Sequence, residues 1–547
     1  MRTSSFFVAI SFFALSLCPI LFGAEPSKPN ILLVLADDIG FGDFSCYNPE
    51  GKIQTAAIDR LAATGMRFTS AYAPAAVCAP TRYAILTGNY PWRGMDPEGT
   101  WDRYGRTAFR PGQKTFGHFL QSANYRTAMF GKANVGAEYE RMLAPDSPDF
   151  SSPLSQGPIQ WGFDYSYIMI LGHQGPPYAF YENNRMVGDP SKIVNLESGP
   201  LNGGAIGGRG PGLPDWDSSN VGRQLTEKAI AFIDDHLAKN KAEGKDRPFM
   251  IHFNTDGDHA PYTPSETLFG KQLKGETRMN AKTDMILEVD FIVEHLVTAL
   301  KQRGLYENTL IILTSDNGGI TNTGELQAFG HDAVGGLRGL KTNIWEGGVR
   351  VPLIMHWGDD TQTGSKIRFN HVSHQMIGLH DLVPTFCEIA GIQPGDDQML
   401  DSISFLPVLL GKNDDSKQFR QSLIVQACHR FDAFTARPKE FDPQTKDLDP
   451  RERHEKWVEY MNKRYREGKR RGLDGIGRAV IMDGWKLCFN LTADEADYLS
   501  DMNSDPVERN NLLEAAHARE KRDELEKEYR RIRASNRSTP PLRVNTR

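Results

Sequence analysis

Cysteine is scarce in this chain, six residues in 547, and neither their number nor their spacing specifies a disulfide framework. Charge of one sign is not in excess either: 63 Lys and Arg against 69 Asp and Glu leave a net charge of −6 and an isoelectric point near 6.2. That balance gives no global attraction to nucleic acid or to an anionic membrane surface, so neither is expected as a partner. Long apolar runs are confined to one, Phe6 to Phe22, which is short for a membrane span, and no stable span is expected. Internal repeats and low-complexity arrays are absent.

What is there begins with that apolar run. It follows Met1-Arg2 and reaches Gly23-Ala24 before the polar Glu25-Pro26-Ser27, the pattern of a signal peptide over residues 1–24 that directs a chain to secretion or the periplasm. Cys18 follows Leu17 rather than a small residue, which argues against lipidation. Beyond the leader stand Cys46, Cys78, Cys387, Cys428 and Cys488, an odd set that leaves one thiol over in an oxidising compartment; Cys78 is the candidate. The length suits a large core and two or more domains.

Several apolar runs end in polar clusters. Ile31 to Ala36 is unbroken, as in a strand buried on both faces, and it ends in Asp37-Asp38-Ile39-Gly40. Thr309 to Thr314 repeats the pattern and releases Ser315-Asp316-Asn317-Gly318. Thr127 to Phe130 delivers Gly131-Lys132-Ala133-Asn134, and Pro248 to Asn254 runs into Asp256-Gly257-Asp258-His259. Each cluster is also good turn sequence. In open α/β sheets, however, ligands bind at the carboxyl edge of the strands. Asp37, Asp38, Asp316 and Asn317 together offer hard oxygen ligands without thiolate or imidazole, which selects Ca²⁺ or Mg²⁺ over zinc; Asp43 is placed outside that shell. Amphipathic helices are expected over Leu225 to Ala238 and Thr283 to Arg303, and long loops from about Arg141 to Asn220.

The stretch Cys78-Ala79-Pro80-Thr81-Arg82, closed by Thr87-Gly88, sets a thiol at the mouth of a helix with an arginine one turn on. A lone cysteine after small residues is usually an ordinary buried thiol. The whole string, however, resembles the sulfatase signature, Cys-x-Pro-x-Arg, four residues and Thr-Gly, with every fixed position present. The resemblance implies that a separate formylglycine-generating enzyme oxidises Cys78 to formylglycine (3-oxoalanine), whose hydrate is the nucleophile, and that Arg82 anchors it. It also implies one Ca²⁺ per chain on Asp37, Asp38, the modified Cys78, Asp316 and Asn317. Lys132 and Lys341, the latter within Gly335-Gly336-Leu337-Arg338-Gly339-Leu340-Lys341, would contact sulfate, and His259 would protonate the departing alcohol.

Where the family commonly has Gly-Lys-x-His-x-Gly, this chain has Asn134, which can hydrogen-bond a hydroxyl but cannot take up a proton near neutral pH. His173 and His252 are candidates for a substitute base, and His331 for a substrate neighbour. Arg338, Glu346 and Arg350 are read as structural ion-pair residues. Trp92, Arg93, Trp101 and Arg103 are candidates for lining a sugar pocket.

The resemblance spans roughly Pro29 to Leu512. It implies an α/β fold, an alkaline-phosphatase-like mixed sheet sandwiched by helices, with a smaller C-terminal α+β subdomain. The expected organisation is a catalytic domain over 25–411, a C-terminal subdomain over 412–534 with a charged insertion from Arg437 to Arg471, and a flexible tail over 535–547. The implied activity is hydrolysis of sulfate esters on a sulfated carbohydrate. A phosphonate or phosphate ester hydrolase of the same superfamily and a glycan-binding pseudoenzyme stay open as alternatives. Oligomeric state is not readable.

Overall fold

The computed structural model describes residues 28–95, 107–144, 147–195, 209–320, 326, 329–427, 477–490 and 494–544. Its main sheet has ten strands: β1 (Asn30–Ala36), β2 (Met66–Phe68), β3 (Arg126–Lys132), β4 (Tyr165–Met169), β5 (Tyr181–Glu182), β6 (Arg185–Met186), β7 (Phe249–Asn254), β8 (Thr309–Ser315), β9 (Leu353–His356) and β10 (His371–Ser373). Their order is β6-β5-β4-β3-β7-β1-β8-β9-β2-β10. The central five, β4-β3-β7-β1-β8, are parallel, and β9 turns the sheet mixed by pairing antiparallel to both β8 and β2.

Alternation along β1 feeds two cores. Ile31, Leu33 and Leu35 join one cluster while Leu32, Val34 and Ala36 join the other, because successive side chains leave opposite faces of a strand. On the first face lie α2 (Cys78–Thr87), α3 (Phe116–Ser122) and α6 (Leu382–Ala390); on the second lie α1 (Ala56–Thr64), α4 (Val221–Glu243) and α5 (Ala281–Gln302). Helix α5 starts at Asn280, whose side chain accepts from the Thr283 N–H, and buries Ile286, Val289, Ile292, Val293 and Leu296 at helical spacing.

A smaller antiparallel sheet follows: β11 (Leu423–Ala427), β12 (Gly477–Met482), β13 (Trp485–Asn490) and β14 (Glu495–Asp501), in that order. Asp483 and Gly484, both at positive φ (54° and 77°), make the two-residue turn between β12 and β13. The helix α7 (Arg519–Ala534) covers this sheet with Leu525, Tyr529 and Ile532, Tyr529 stacking on Phe489 at 3.7 Å between centroids.

Two expectations need correction. The stretch read as long loops contains β4 and the β5–β6 hairpin, which form one edge of the main sheet; they are short and gain their place from pairing with β3, a long-range contact without local periodicity. The tail does not fray over 535–544: Arg537 donates to the carbonyls of Met399 (3.2 Å) and Gln398 (2.5 Å), and Ser538 Oγ to Asp401 Oδ1 (2.7 Å). The insertion from Arg437 to Arg471 lies outside the described residues.

The register sets the site. Leu35 pairs with Asn254 and Thr314, Ala36 with Ser315, and Gly131 with Asn254. The carboxyl ends of β1, β3, β7 and β8 therefore finish level, and Asp37, Lys132, Thr255 and Asp316 emerge along one edge.

Candidate active site

Three carboxylates and three cations are packed out of water at that edge. Asp37, Asp38 and Asp316 are each 0 % exposed. Lys132 Nζ lies 2.5 Å from Asp37 Oδ2, and Lys341 Nζ lies 2.6 Å from Asp38 Oδ1. Arg82 reaches Asp316 Oδ2 through Nε (2.9 Å) and its terminal nitrogen (2.8 Å), and donates to Lys132 O (2.8 Å) and Asn254 Oδ1 (3.0 Å). Asp38 adopts φ 61°, a left-handed turn that Asp tolerates better than most residues, immediately after β1.

Burial would raise the Asp37 carboxyl, but Lys132, His259, Arg82 and Lys341 outweigh it and hold it well below the carboxylate range. Asp316 goes the other way: burial and the neighbouring Asp37 charge push it up to about 7 in spite of Arg82. Of the three, only Asp316 has its ionisation opposed on balance by the crowding; Asp38, like Asp37, is held low against its burial by its neighbouring cations.

Cys78 is the first residue of α2, preceded by Val77 in extended conformation, and is nearly buried at 9 % exposure. Asn134 Nδ2 lies 3.0 Å from Cys78 Sγ. Asn134 itself has φ 47°, which asparagine accepts readily. An amide N–H thus faces the group on the Cys78 β carbon.

The loop that carries Lys341 is docked on the loop that carries Asp316. Gly318 N–H donates to Gly348 O (3.0 Å) and Lys341 N–H to Gly319 O (3.0 Å). A β carbon on Gly318 would come within 1.9 Å of Gly347 O, so the approach requires glycine there. From below, a buried ion cluster ties the same loop to the C-terminal sheet: Lys486 bridges Glu346 (3.0 Å) and Glu508 (3.1 Å), while Arg350 pairs with Glu346 (2.7 Å).

His259 is 3 % exposed, with Nδ1 2.7 Å from Ala260 O and Nε2 3.8 Å from Asp38 Oδ2. Facing a carbonyl, Nδ1 carries the hydrogen and Nε2 is left for the site. Burial, then Lys132 and Lys341, push its pKa down to about 3, so the ring is neutral at neutral pH.

The residues fit a hard cation. Asp37 Oδ1, Asp38 Oδ2 and Asn317 Oδ1 are buried without a hydrogen-bond partner, and Asn317 is oriented by its Nδ2 donating to Asp38 Oδ1 at 2.9 Å. Ligand atoms of Asp37, Cys78 and Asp316 lie within 4.8 Å of one another, as do those of Asp37, Asp38 and His259. Unpaired anionic and amide oxygens are costly unless something positive meets them, and oxygen donors favour Ca²⁺ or Mg²⁺.

Other expected neighbours fall elsewhere. His331 is buried against Asp43, Nε2 to Oδ1 at 2.9 Å, and its other nitrogen accepts from the Lys52 N–H, so it is a structural pair below the site. His252 sits among Phe116 and Phe163, and burial drops its pKa to about 3. His173 lies behind His259 rather than facing Cys78. Trp92 and Arg93 follow the far end of α2, about 15 Å of helix from Cys78; Trp92 stacks on Tyr90 and Arg93 is held by Asp401 at 2.6 Å. Trp101 and Arg103 lie outside the described residues. Sequence reasoning missed Asn254, a partner of Arg82, and Gln174, whose Oε1 accepts from Lys132 at 3.3 Å. Asn254 carried a signal, a polar residue closing an apolar strand.

Residues 29–392 match the family model described as Sulfatase. Over 448 residues the chain is 30 % identical to an N-acetylgalactosamine-6-O-sulfatase of Bacteroides thetaiotaomicron, covering 73 % of this chain and 79 % of that protein. Arylsulfatase A of Homo sapiens is 32 % identical over 408 residues, 73 % of this chain and 71 % of its own. Among solved structures, one from work on glycosaminoglycan metabolism by Bacteroides thetaiotaomicron superposes with a TM-score of 0.70 at 24 % identity, covering 93 % of this chain and 100 % of the other, a likeness of fold.

Proposed function

The chain belongs to the sulfatase family and is a sulfuric ester hydrolase, and from that premise we propose that it removes sulfate from a carbohydrate, using formylglycine made at Cys78 and one Ca²⁺. The observation that carries the reading is the meeting of Cys78, Arg82, Asn134, Lys132 and Lys341 with three buried carboxylates at one sheet edge. Formylglycine would supply the nucleophilic hydroxyl of its hydrate and a second hydroxyl through which sulfate is expelled. Ca²⁺, held by Asp37, Asp38, Asp316 and Asn317 beside Cys78, would supply positive charge for sulfuryl oxygens.

The chain's own groups do the rest. Lys132 and Lys341 are pinned by Asp37 and Asp38, so their charge is in place before substrate arrives and needs no reorganisation. Arg82, paired with Asp316 and donating to Lys132 O and Asn254, holds the base of the site. Asn134 orients the Cys78 group by donating a hydrogen bond and takes no proton. Burial, with Lys132 and Lys341 adding to it, keeps His259 neutral in the free site; an anionic sulfate ester beside the lysines favours uptake of a solvent proton at Nε2, which then passes to the departing alcohol, a contribution of roughly 10²–10⁴-fold.

The carbohydrate class comes from the relative named as an N-acetylgalactosamine-6-O-sulfatase. A formylglycine-generating enzyme is the maturation partner, and secretion or the periplasm the compartment. The test is the mass of the Cys78 peptide from the native host, with turnover of sulfate and phosphate esters of one alcohol. An aldehyde mass and sulfate preference support the reading. Full turnover by Cys78→Ala, or a preference for phosphate, refutes it.

A further inference from the structure

Resting on the reading of His259 as the acid, we propose that His173 is a positioning residue for it, linked through one buried water to Asp256. His173 sits in the short turn Gly172–Gln174 after β4 and is 1 % exposed. Its Nε2 lies 2.8 Å from the backbone carbonyl of His259 and donates to it. Its Nδ1 is buried and has no hydrogen-bond partner among the described residues. Asp256, just beyond β7, is stranded in the same way: neither carboxylate oxygen has a partner, while its backbone carbonyl accepts from the His259 N–H at 2.7 Å.

Both side chains, with Glu288 of α5, line one narrow recess that has room for about one water molecule. Buried polar atoms are rarely left unpaired, and a water between Asp256 and His173 Nδ1 satisfies both. The turn that carries His173 packs against Asp256: a β carbon on Gly172 would come 2.5 Å from Asp256 Oδ1. His259 is then gripped from behind at its N–H by Asp256, at its C=O by His173, and at its ring by Ala260 O at 2.7 Å. Ring direction follows the backbone to which Nδ1 is tied. Freeing the carbonyl lets that backbone turn and moves Nε2 off the leaving oxygen.

The matured enzyme is assayed on a nitrophenyl sulfate, whose leaving group departs without a proton, and on a sulfated sugar, whose alcohol needs one. His259→Ala should cost the sugar sulfate about 10²-fold more than the aryl ester in kcat. If that difference is missing, the acid assignment of His259 fails and the His173 link falls with it. With the difference present, His173→Phe should show the same selective loss at about tenfold with KM unchanged, and His173→Gln, which keeps an N–H donor, should recover most of it. Asp256→Asn should give a smaller loss of the same kind. Equal losses on both substrates for His173→Phe, or no recovery by His173→Gln, overturn the proposal while leaving His259 as the acid. Should His173→Phe not fold, Asp256→Asn alone decides: a loss confined to the sugar sulfate supports the link, and an equal loss on both refutes it.

Discussion

Lys486→Met is the substitution from which most can be worked out. The Lys486 ammonium is fully buried and lies 3.0 Å from Glu346 Oε1 and 3.1 Å from Glu508 Oε1. Without it Glu346 keeps Arg350 at 2.7 Å and the Tyr72 hydroxyl at 3.0 Å. Glu508 keeps the Glu346 N–H at 2.7 Å and a long bond of 3.4 Å from Ser500. Methionine fills much of the vacated volume, so the cost is that of stranding Glu508, about 3–5 kcal/mol for a buried pair broken on one side.

Burial already raises the Glu508 carboxyl, with Lys486 opposing, so in the variant it rises further. A carboxyl whose folded pKa is raised contributes stability that is present below its unfolded value and lost as pH rises through the folded one. The penalty of the variant is therefore smallest in acid and largest in alkali. Adding Glu508→Gln removes the stranded charge and should recover about 2 kcal/mol. Urea denaturation of wild type, both single variants and the double variant, at about pH 5 and about pH 8, reads all of this. Because Glu346 follows the loop carrying Lys341, kcat should fall as well. A Lys486→Met penalty under about 1 kcal/mol at the higher pH, or a double variant as costly as the two singles summed, refutes the reasoning.

Three further outcomes are expected. Lys132→Ala and Lys341→Ala should each lower kcat on a sulfate ester by about 10²–10³-fold, read by steady-state kinetics. Chelation of divalent metal should abolish turnover and lower the melting temperature, and Ca²⁺ at about 100-fold its Kd should return about 2.7 kcal/mol, because an ion held by the folded carboxylate cluster and not by the unfolded chain shifts the equilibrium toward the fold. Glu288 is raised to about 8 by burial and then by the Asp256 charge. Its stabilising share is thus complete below its unfolded pKa and vanishes as pH rises through 8; Glu288→Gln should flatten that decline, measured as unfolding free energy against pH.

Most of the edge that carries the site is written in local chemistry that survives in one dimension. Unbroken apolar runs ending in Asp37-Asp38 and Asp316-Asn317 announce buried parallel strands and their ligand edge, because a strand covered on both faces has nowhere else to put a carboxylate. Cys78 and Arg82 one turn apart announce a helix mouth, and the long helices show themselves by periodicity. Histidines were the weak point. His331, His252 and His173 have the same side chain, yet one is paired with Asp43, one is enclosed by phenylalanines and one stands behind His259.

By itself, then, the sequence determined the elements around the site, its buried carboxylates and its thiol, since each is written in short spacings and in residue chemistry. Tertiary structure alone decided which histidine faces the site, that β4 to β6 join the sheet, that 535–544 dock on Met399 and Asp401, and that Lys486 buttresses the Lys341 loop. Those depend on contacts between residues tens to hundreds of positions apart, where register and burial, not neighbouring sequence, choose the partner.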